Sequence, residues 1–402
     1  MNEALIFGLL FLAVASGWIL GRRAKRDKNA SAIALPSQYY RGLNYLLDGR
    51  PDGAVDHFIS ALEVNSETLE THIALGNVLR RRGEVDRAIR IHQNLLARPN
   101  LSQAQIHIAH LELARDYVSA GLLDRAEKLL IDLVAESEEQ REISCQHLIE
   151  LYRSESEWTR AIEIAKTLLP KKSLLKGSSD PIHLPGQPIG VQLAHFYCEQ
   201  AGACAASGQW NEARNLLEQA LAVDPACVRA SLDLGRLEAS MGNHREAIKA
   251  LRRVVDQDPR FLAEAIPALR ESYAALEETS ALSKFLKIKL EEHPSTPLTI
   301  AVAEDVLRER GHDAARQFLA DRLAESPSLR GLRRWIRLQD EAVTAEPDET
   351  VSVLSVLLDR LIAERAAYCC GHCGFESKQL LWFCPGCKYW GSFGAINRSE
   401  ST

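Results

Sequence analysis

Apolar residues are distributed along this 402-residue chain in two different ways. Residues 4–20 form an apolar run that contains no charged side chain. From residue 35 onward, apolar and small residues instead alternate with charged ones, and alanine, leucine, glutamate and arginine are prominent. The first pattern predicts a helix inside a lipid bilayer, and the second predicts amphipathic helices that each bury one face.

The apolar run at residues 4–20 is short for a membrane span. At about 1.5 Å per residue it covers roughly 25 Å, just long enough for a bilayer core. Only Glu3 precedes it as a charged residue, and five basic residues follow it: Arg22, Arg23, Lys25, Arg26 and Lys28. The positive-inside rule therefore predicts a transmembrane anchor at 1–21, a basic juxtamembrane linker at 22–34, and a remainder that lies in the cytoplasm.

Two other interpretations of this segment remain open. The small residues Ala13, Val14 and Ala15 resemble a cleavage site, which would make the run a signal peptide and the mature chain periplasmic. A buried helix of a soluble protein is the third possibility. Signal peptides carry their positive charge before the apolar run, so the order of charges here favours the anchor.

A set of small residues and prolines recurs at one fixed interval along the chain. Gly42, Gly49 and Ala54 recur as Gly76, Gly83 and Ala88, and Gly208, Ala213 and Pro225 recur as Gly242, Ala247 and Pro259. This interval is the period of the tetratricopeptide repeat, a pair of antiparallel helices. Small residues allow the helices to approach closely and to turn, and proline ends the second helix. We predict an all-α tetratricopeptide-repeat solenoid of about eight or nine repeats over 35–330.

The repeats are not uniform. A degenerate repeat is expected before Ala315, with Ala281 in the alanine position, and turn-forming residues at 170–190 interrupt the period. We therefore predict N-terminal repeats at 35–169, a loop or hinge at 170–190, C-terminal repeats at 191–340 and a connecting helix at 341–366.

A repeat array of this kind offers a groove for peptides or helices and rarely catalyses a reaction. No catalytic constellation is visible, so we expect no enzyme activity. The basic cluster that includes Arg80, Arg81 and Arg82 either grips an acidic partner or is a solvated face. A net charge of -6, from 48 Lys and Arg against 54 Asp and Glu, argues against nucleic acid as a partner.

Five of the nine cysteines lie at or beyond position 369, close to the end of the chain. Cys370 and Cys373 form one CxxC pair, and Cys384 and Cys387 form a second pair ten residues later. Two such pairs predict one tetrahedral metal site of four thiolates, within a small domain at 367–396. Both zinc and iron suit four thiolates, so both remain open. Cys369 breaks the two-residue spacing and is interpreted as a spare thiol.

A domain this small needs its metal to fold. Five aromatic residues are expected to cover the metal as the core of the domain: Trp382, Phe383, Tyr389, Trp390 and Phe393. A redox dithiol would instead use a single CxxC within a β-α-β unit, and neither condition holds here.

These parts together resemble the lipopolysaccharide assembly protein B family of Gram-negative bacteria. The resemblance covers nearly the full chain. It is carried by residues 17–23, by the run GNVLRRRGEVDRAIRIHQNLLARP at 76–99, by AHFYCE at 194–199, and by the two CxxC pairs.

The resemblance implies a single-pass inner-membrane adaptor whose bulk lies on the cytoplasmic side. Its partners would be a membrane-anchored ATP-dependent protease, the deacetylase of lipid A synthesis and other lipopolysaccharide assembly proteins. The adaptor would bring the deacetylase to the protease for degradation. The metal of its rubredoxin-like domain would be iron, carried over to Cys370, Cys373, Cys384 and Cys387. Two alternatives stay open: an electron-transfer protein docked by its repeats, and a periplasmic scaffold for envelope assembly.

Overall fold

The computed structural model describes residues 44–45, 69–99, 101–170, 183–184, 187–342 and 349–396. The predicted anchor, the basic linker and most of the first predicted repeat lie outside these ranges. Within the described ranges, no helix has the length and apolar character that crossing a membrane requires. The chain divides into two compact units, residues 1–141 and 142–402, which are described separately.

The described part of the first unit is entirely helical. Its helices are α1 (Leu69–Arg81), α2 (Val85–Leu96), α3 (Gln103–Ser119) and α4 (Leu123–Glu136), and α5 (Glu138–Ser154) begins in this unit and continues into the second. Consecutive helices pack as pairs, α1 on α2 and α3 on α4. The boundary between the two units falls inside α5.

The second unit holds eleven further helices in its described residues. They are α6 (Trp158–Thr167), α7 (Ile189–Ala206), α8 (Trp210–Val223), α9 (Val228–Ser240), α10 (His244–Gln257), α11 (Leu262–Ala275), α12 (Thr279–Glu292), α13 (Thr296–Arg310), α14 (His312–Glu325), α15 (Leu329–Ala342) and α16 (Glu349–Glu364). A short 3-10 helix, Pro259–Phe261, precedes α11. The helical tetratricopeptide fold predicted from the sequence is therefore confirmed for these residues.

Two small antiparallel sheets accompany the helices of the second unit. Strands β1 (His183–Leu184) and β2 (Gln187–Pro188) pair with Leu184 opposite Gln187, immediately before α7. The C-terminal sheet has the order β4-β3-β5, formed by β3 (Tyr368–Cys370), β4 (Glu376–Ser377) and β5 (Phe393–Ala395). Cys369 lies opposite Glu376 on one side and Gly394 on the other.

The turn inside each helix pair follows one plan. Gly208 and Gly242 have φ values of 79° and 80°, a left-handed conformation that glycine adopts without steric cost. The next amide then donates back across the turn, as from Asn243 N to Glu238 O at 2.8 Å. Five residues after each glycine comes an alanine of the second helix, Ala213 or Ala247, and both are fully buried. The periodicity of the sequence is therefore the recurrence of this turn and this contact.

Glycine is also needed where the two helices of a pair cross. A Cβ atom on Gly235 would lie 2.4 Å from Cγ of Leu251, and one on Gly76 would lie 2.4 Å from the ring of His92. Real Cβ atoms do not approach other atoms so closely, so these two positions require glycine.

The degenerate repeat differs from its prediction by one residue. Ala281 is exposed, and the neighbouring Leu282 fills the buried position instead. The reason is the turn, where Glu277 takes the left-handed conformation (φ 58°) five residues before Leu282. The expected place of Ala281 is therefore wrong by one residue, because the left-handed residue Glu277 lies 35 positions after Gly242 and not 34.

We predict that Glu277→Gly raises the free energy of unfolding by up to about 1 kcal/mol. The substitution removes the steric strain of a left-handed glutamate, which exceeds the backbone entropy that glycine adds to the unfolded chain. Ala281→Gly, in the exposed first turn of α12, is the control and lowers the same quantity by up to about 1 kcal/mol. Urea unfolding followed by circular dichroism measures both variants, and a lower free energy of unfolding for Glu277→Gly would show that the left-handed turn at Glu277 stores no strain.

Candidate metal centre

Four cysteine sulfurs converge at the C-terminal end of the second unit. The Sγ atoms of Cys370, Cys373, Cys384 and Cys387 all lie within 4.8 Å of one another. Two Sγ pairs, Cys370 with Cys387 and Cys373 with Cys384, are 3.6 Å apart. A tetrahedral ion with metal–sulfur bonds of about 2.3 Å needs sulfur–sulfur edges of about 3.8 Å. The cluster is therefore a potential tetrahedral metal site.

The two CxxC segments fold in the same way. The amide of Cys370 donates to Phe375 O and the amide of Cys384 donates to Tyr389 O, both at 2.8 Å. The residue after each second cysteine is left-handed, Gly374 with φ 77° and Lys388 with φ 65°. Each segment thus forms the same tight turn, and the two turns face one another across the four sulfurs. We call the region from residue 368 to 395 the knuckle.

Hydrogen bonds prepare one thiol for ionisation. Burial opposes ionisation of Cys370, but the hydroxyl of Ser392 and the backbone N–H groups of Cys373 and His372 outweigh it and lower the pKa of the thiol to about 6. Desolvation, together with hydrogen bonding to the neighbouring sulfurs, raises the pKa of Cys387 to about 12. Cys370 therefore loses its proton more readily than Cys387, and binding of a metal ion by thiolates must release protons.

Burial of the four sulfurs is uneven. Cys370 and Cys384 are buried above Phe393, whereas Cys373 is exposed. Cys369 stays outside the cluster because neighbouring residues of a strand point to opposite faces of a sheet. Four thiolates without an open position fit a structural zinc or iron ion equally well.

The knuckle packs against the helices of its own unit through two tryptophans. The indole of Trp390 stacks on His195 of α7, with ring centroids 5.1 Å apart and an interplanar angle of 20°. Trp382 stacks on Phe261 at 5.6 Å. The sequence predicts that both indoles belong to the core of the knuckle. One face of each ring instead packs against the repeats, so the prediction is wrong for that face. Phe393, in contrast, is buried within the knuckle.

Three polar contacts accompany this packing. The side chain of Gln187 donates to Trp390 O at 2.8 Å and accepts from Trp390 N at 2.7 Å, as a neighbouring strand would. The hydroxyl of Tyr368 donates to Glu264 Oε1 at 2.5 Å. Gln187 belongs to β2, so the irregular segment before α7 supplies a direct contact to the knuckle. No pattern in the sequence indicates this role.

His195 is the buried centre of the contact. Burial, and secondarily the charge of Arg229, lower its pKa to about 3. Its Nδ1 has no hydrogen-bond partner within the part of the chain that the structure describes. A Cβ atom on Gly391 would come within 2.9 Å of its Nε2. The neutral ring therefore acts as a flat packing surface.

One arginine of the basic cluster, Arg80, forms ion pairs inside the first unit. Arg80 binds Asp116 at 2.6 Å and Glu112 at 2.8 Å, and Asp116 in turn contacts His92 Nδ1 at 2.5 Å. Asp116 and His92 are fully buried. Arg80 therefore links α1 to α3 and is not available to an acidic partner.

Comparison with known proteins covers all of these parts. The tetratricopeptide repeat family matches residues 71–104 and 205–272, and the family described as "Rubredoxin metal binding domain" matches residues 368–395. Lipopolysaccharide assembly protein B of Escherichia coli strain K12 is 34% identical over 394 residues, which cover 98% of each chain. The protein of the same name from Haemophilus influenzae is 34% identical over 406 residues, covering 98% of this chain and 99% of its own.

Solved repeat structures align less well. MamA matches with a TM-score of 0.25 and 18% identity, over 61% of this chain and 97% of its own. YrrB, described as a tetratricopeptide protein with an unusual peptide-binding site, matches with a TM-score of 0.25 and 16% identity, over 61% of this chain and 97% of its own. Scores this low support no argument about this chain.

We predict that Cys384→Ser abolishes stoichiometric metal binding and detaches the knuckle, because three thiolates no longer close the site. Cys369→Ser, next to a ligand position but outside the cluster, is the matched control and retains one ion per chain. Metal analysis by mass spectrometry, together with the fluorescence of Trp382 and Trp390, reports both effects. Equal metal content in the two variants would refute the assignment.

We also predict a dependence of stability on pH that comes from His195. The unfolded chain takes up a proton on this ring below a pKa of about 6.5, whereas the folded chain does not until about pH 3. The free energy of unfolding therefore falls as the pH drops below 6.5, with a slope that approaches about 1.4 kcal/mol per pH unit and ends near pH 3. His195→Gln removes this contribution, which amounts to about 1 kcal/mol between pH 6.5 and 5.5.

Acid also protonates the thiolates, which adds to the pH dependence of both proteins. The difference in slope between the unmodified protein and His195→Gln therefore gives the contribution of His195. His293→Gln, at an exposed position, is the control and keeps the slope of the unmodified protein. Chemical unfolding at each pH provides the measurement. Identical slopes for all three proteins would show that His195 is not a buried neutral ring.

Proposed function

Because the chain belongs to the lipopolysaccharide assembly protein B family, we propose that it is a membrane-tethered adaptor that regulates lipopolysaccharide biosynthesis. The repeats hold the deacetylase of the lipid A pathway and present it to a membrane-anchored ATP-dependent protease. Degradation of the deacetylase then limits lipopolysaccharide synthesis. The observation that carries this proposal is the 34% identity over 98% of both chains, because the relationship spans the repeats and the knuckle together.

The fold of the described residues suits a scaffold. Pairs of helices stacked side by side offer extended surfaces for peptides and helices, and such arrays seldom catalyse a reaction. Buried charges in both units join neighbouring repeats, as Arg80 joins Asp116 and Arg270 joins Asp305. Charges used in this way hold the array in shape and leave recognition to its exposed side chains.

We assign the knuckle a structural role in this adaptor. Cys370, Cys373, Cys384 and Cys387 hold one ion, which is iron by the family resemblance and zinc as the alternative. Either ion supplies a cross-link between the two CxxC turns. Trp390, Trp382 and Gln187 attach the knuckle to the repeats.

In this proposal the membrane anchor confines the repeats to the plane of the membrane. The apolar run at 4–20 and the basic residues after it support an inner-membrane location with the repeats in the cytoplasm. A scaffold held in the plane of the membrane meets a membrane-anchored protease at a higher effective concentration. Tethering is therefore part of the proposed activity.

Affinity purification of the full chain from native membranes, with proteolysis blocked, tests the partners. We expect mass spectrometry to recover both a membrane-anchored protease and the lipid A deacetylase. A reductase recovered in their place would favour electron transfer, and recovery of periplasmic envelope proteins alone would favour the periplasmic scaffold. Either result overturns the proposal.

Removal of residues 1–21 tests the tether. We expect a folded, metal-loaded protein that no longer shortens the half-life of the deacetylase in cells. An unrelated single-pass anchor with the same orientation, fused in place of 1–21, is the control and restores the short half-life. Full activity of the truncated chain at its native expression level would show that tethering is dispensable.

A further inference from the structure

Two further cysteines lie next to each other in the repeats of the second unit, apart from the four of the knuckle. Cys198 belongs to α7, and Cys227 is the N-cap residue of α9. Helices α7 and α9 pack against each other, and the two cysteines are buried, with exposures of 1% and 4%. A side-chain hydrogen bond joins the two thiols. We call Cys198 and Cys227 the repeat dithiol.

The surroundings of the repeat dithiol distinguish its two sulfurs. The hydrogen bond from Cys198, together with the backbone N–H of Ala230 in the first turn of α9, lowers the pKa of the Cys227 thiol against the effect of burial. Burial, and then the hydrogen bond to Cys227, raises the pKa of Cys198 well above its ordinary value. Cys227 is thus the sulfur that ionises first, and Cys198 keeps the proton that it donates to Cys227.

One buried cation lies beside the repeat dithiol. Arg229, whose side chain is 11% exposed, pairs with Asp233 at 3.4 Å. The charge of Arg229 lowers the pKa of both thiols. Two carboxylates oppose it, since Asp233 acts on Cys198 and Asp224 acts on Cys227. A cation and a helix N-terminus beside one sulfur are the surroundings that stabilise a nucleophilic thiolate, and Cys227 has both.

Cys145 provides a comparison within the repeats. It is fully buried in α5, and its sulfur lies 4.0 Å from the hydroxyl of Thr167. A hydroxyl cannot form a disulfide with it. Burial is therefore common to Cys145 and the repeat dithiol, whereas the hydrogen bond between two thiols distinguishes the repeat dithiol.

We propose that the repeat dithiol is a redox-sensitive site, in which a hydroperoxide oxidises the two thiols to a disulfide that links α7 to α9. A disulfide requires two sulfurs that can approach each other, and the hydrogen bond between Cys198 and Cys227 already brings them into contact. In a reducing compartment the pair stays as thiols, so the disulfide forms under oxidative stress and thiol reductants reverse it.

The reaction proceeds in two balanced steps. The thiolate of Cys227 attacks one oxygen of the hydroperoxide, the O–O bond breaks, and Cys227 becomes a sulfenic acid. Hydrogen peroxide as the oxidant leaves as hydroxide, which takes up a proton and becomes water. The sulfur of Cys198 then attacks the sulfur of Cys227, the S–S bond forms, and the S–O bond breaks. The departing hydroxide takes the proton of Cys198, so two thiols lose two electrons and one peroxide becomes two water molecules.

The disulfide would join two of the helices on which the knuckle rests. His195, one helical turn before Cys198, stacks on Trp390. Arg229, two residues after Cys227, lies 5.9 Å from the ring centroid of Trp382. A covalent link between α7 and α9 therefore ties together the surface beneath both indoles.

Peroxide treatment of the purified, metal-loaded full chain tests the proposal. The treated protein is unfolded in an alkylating reagent that blocks every remaining thiol, and mass spectrometry of tryptic peptides identifies the linked cysteines. We expect one predominant link, between Cys198 and Cys227, with the loss of two hydrogen atoms and with reversal by dithiothreitol. Fragment spectra distinguish Cys198 from Cys204, which lies in the same peptide. Cys145 is the internal control and is recovered as an alkylated thiol.

Two matched variants separate the roles of the sulfurs. Cys198→Ser leaves Cys227 without a second thiol, so peroxide in the presence of dimedone is expected to label Cys227 as its sulfenic acid. Cys227→Ser leaves Cys198 protonated, and we expect no label on it. Circular dichroism and metal analysis confirm that each variant is folded. The link in the unmodified chain needs no substitution, so it tests the proposal even if a variant does not fold.

Three outcomes overturn the inference. They are the absence of a Cys198–Cys227 link in the folded, peroxide-treated chain, a predominant link from either cysteine to a different one, and equal dimedone labelling of the two variants. None of these measurements involves the protease or the deacetylase. Failure of the redox site therefore leaves the proposed adaptor function untouched, and failure of the adaptor function leaves the redox site untouched.

Discussion

The close approach of two helices within each repeat is the constraint on which the rest of this structure depends. In the regular repeats, the turn between the helices reverses the chain in a left-handed residue, and a small side chain follows at the contact. Gly242 and Ala247 meet both conditions, and Gly235 lets Leu251 lie directly against the backbone of its partner helix. Stacking of such pairs then fixes where α7, α9 and α11 stand in the second unit, and these helices carry the surface on which the knuckle rests.

The knuckle is tied to that surface because it is too small to bury a core of its own. Its interior consists of little more than two cysteines and Phe393, with the metal site beside them. The larger apolar groups, Trp382 and Trp390, are satisfied outside it, against Phe261 and His195. The four-cysteine cluster shapes the knuckle, and the repeats of the second unit shield its aromatic face. These repeats and the candidate metal site are therefore parts of one folded unit.

Features that depend on local sequence could be predicted, and features that depend on distant contacts could not. Glycine turns and CxxC pairs carry their geometry in the residue types themselves, so the repeats and the cluster of four sulfurs followed from spacing. Glu277 adopts the same turn without the glycine that signals it, which displaced the prediction at Ala281 by one residue. Arg80 looked like surface charge because its partners, Glu112 and Asp116, stand 32 and 36 positions further along the chain. No local pattern indicates the contacts of His195 and Gln187, because their partner Trp390 lies much later in the sequence.

The contact between Gln187 and Trp390 joins residues that are 203 positions apart. A ribosome adds about 5–20 residues per second, so the helices on either side of α7 can pair while the chain is still being made, whereas Trp390 emerges roughly 10–40 seconds after Gln187. For that interval His195 lacks the indole of Trp390 that stacks on it. The second unit is thus completed only after the knuckle has been made, and a nascent chain that stalls before the knuckle leaves this contact surface open to chaperones and to the quality-control machinery of the cell.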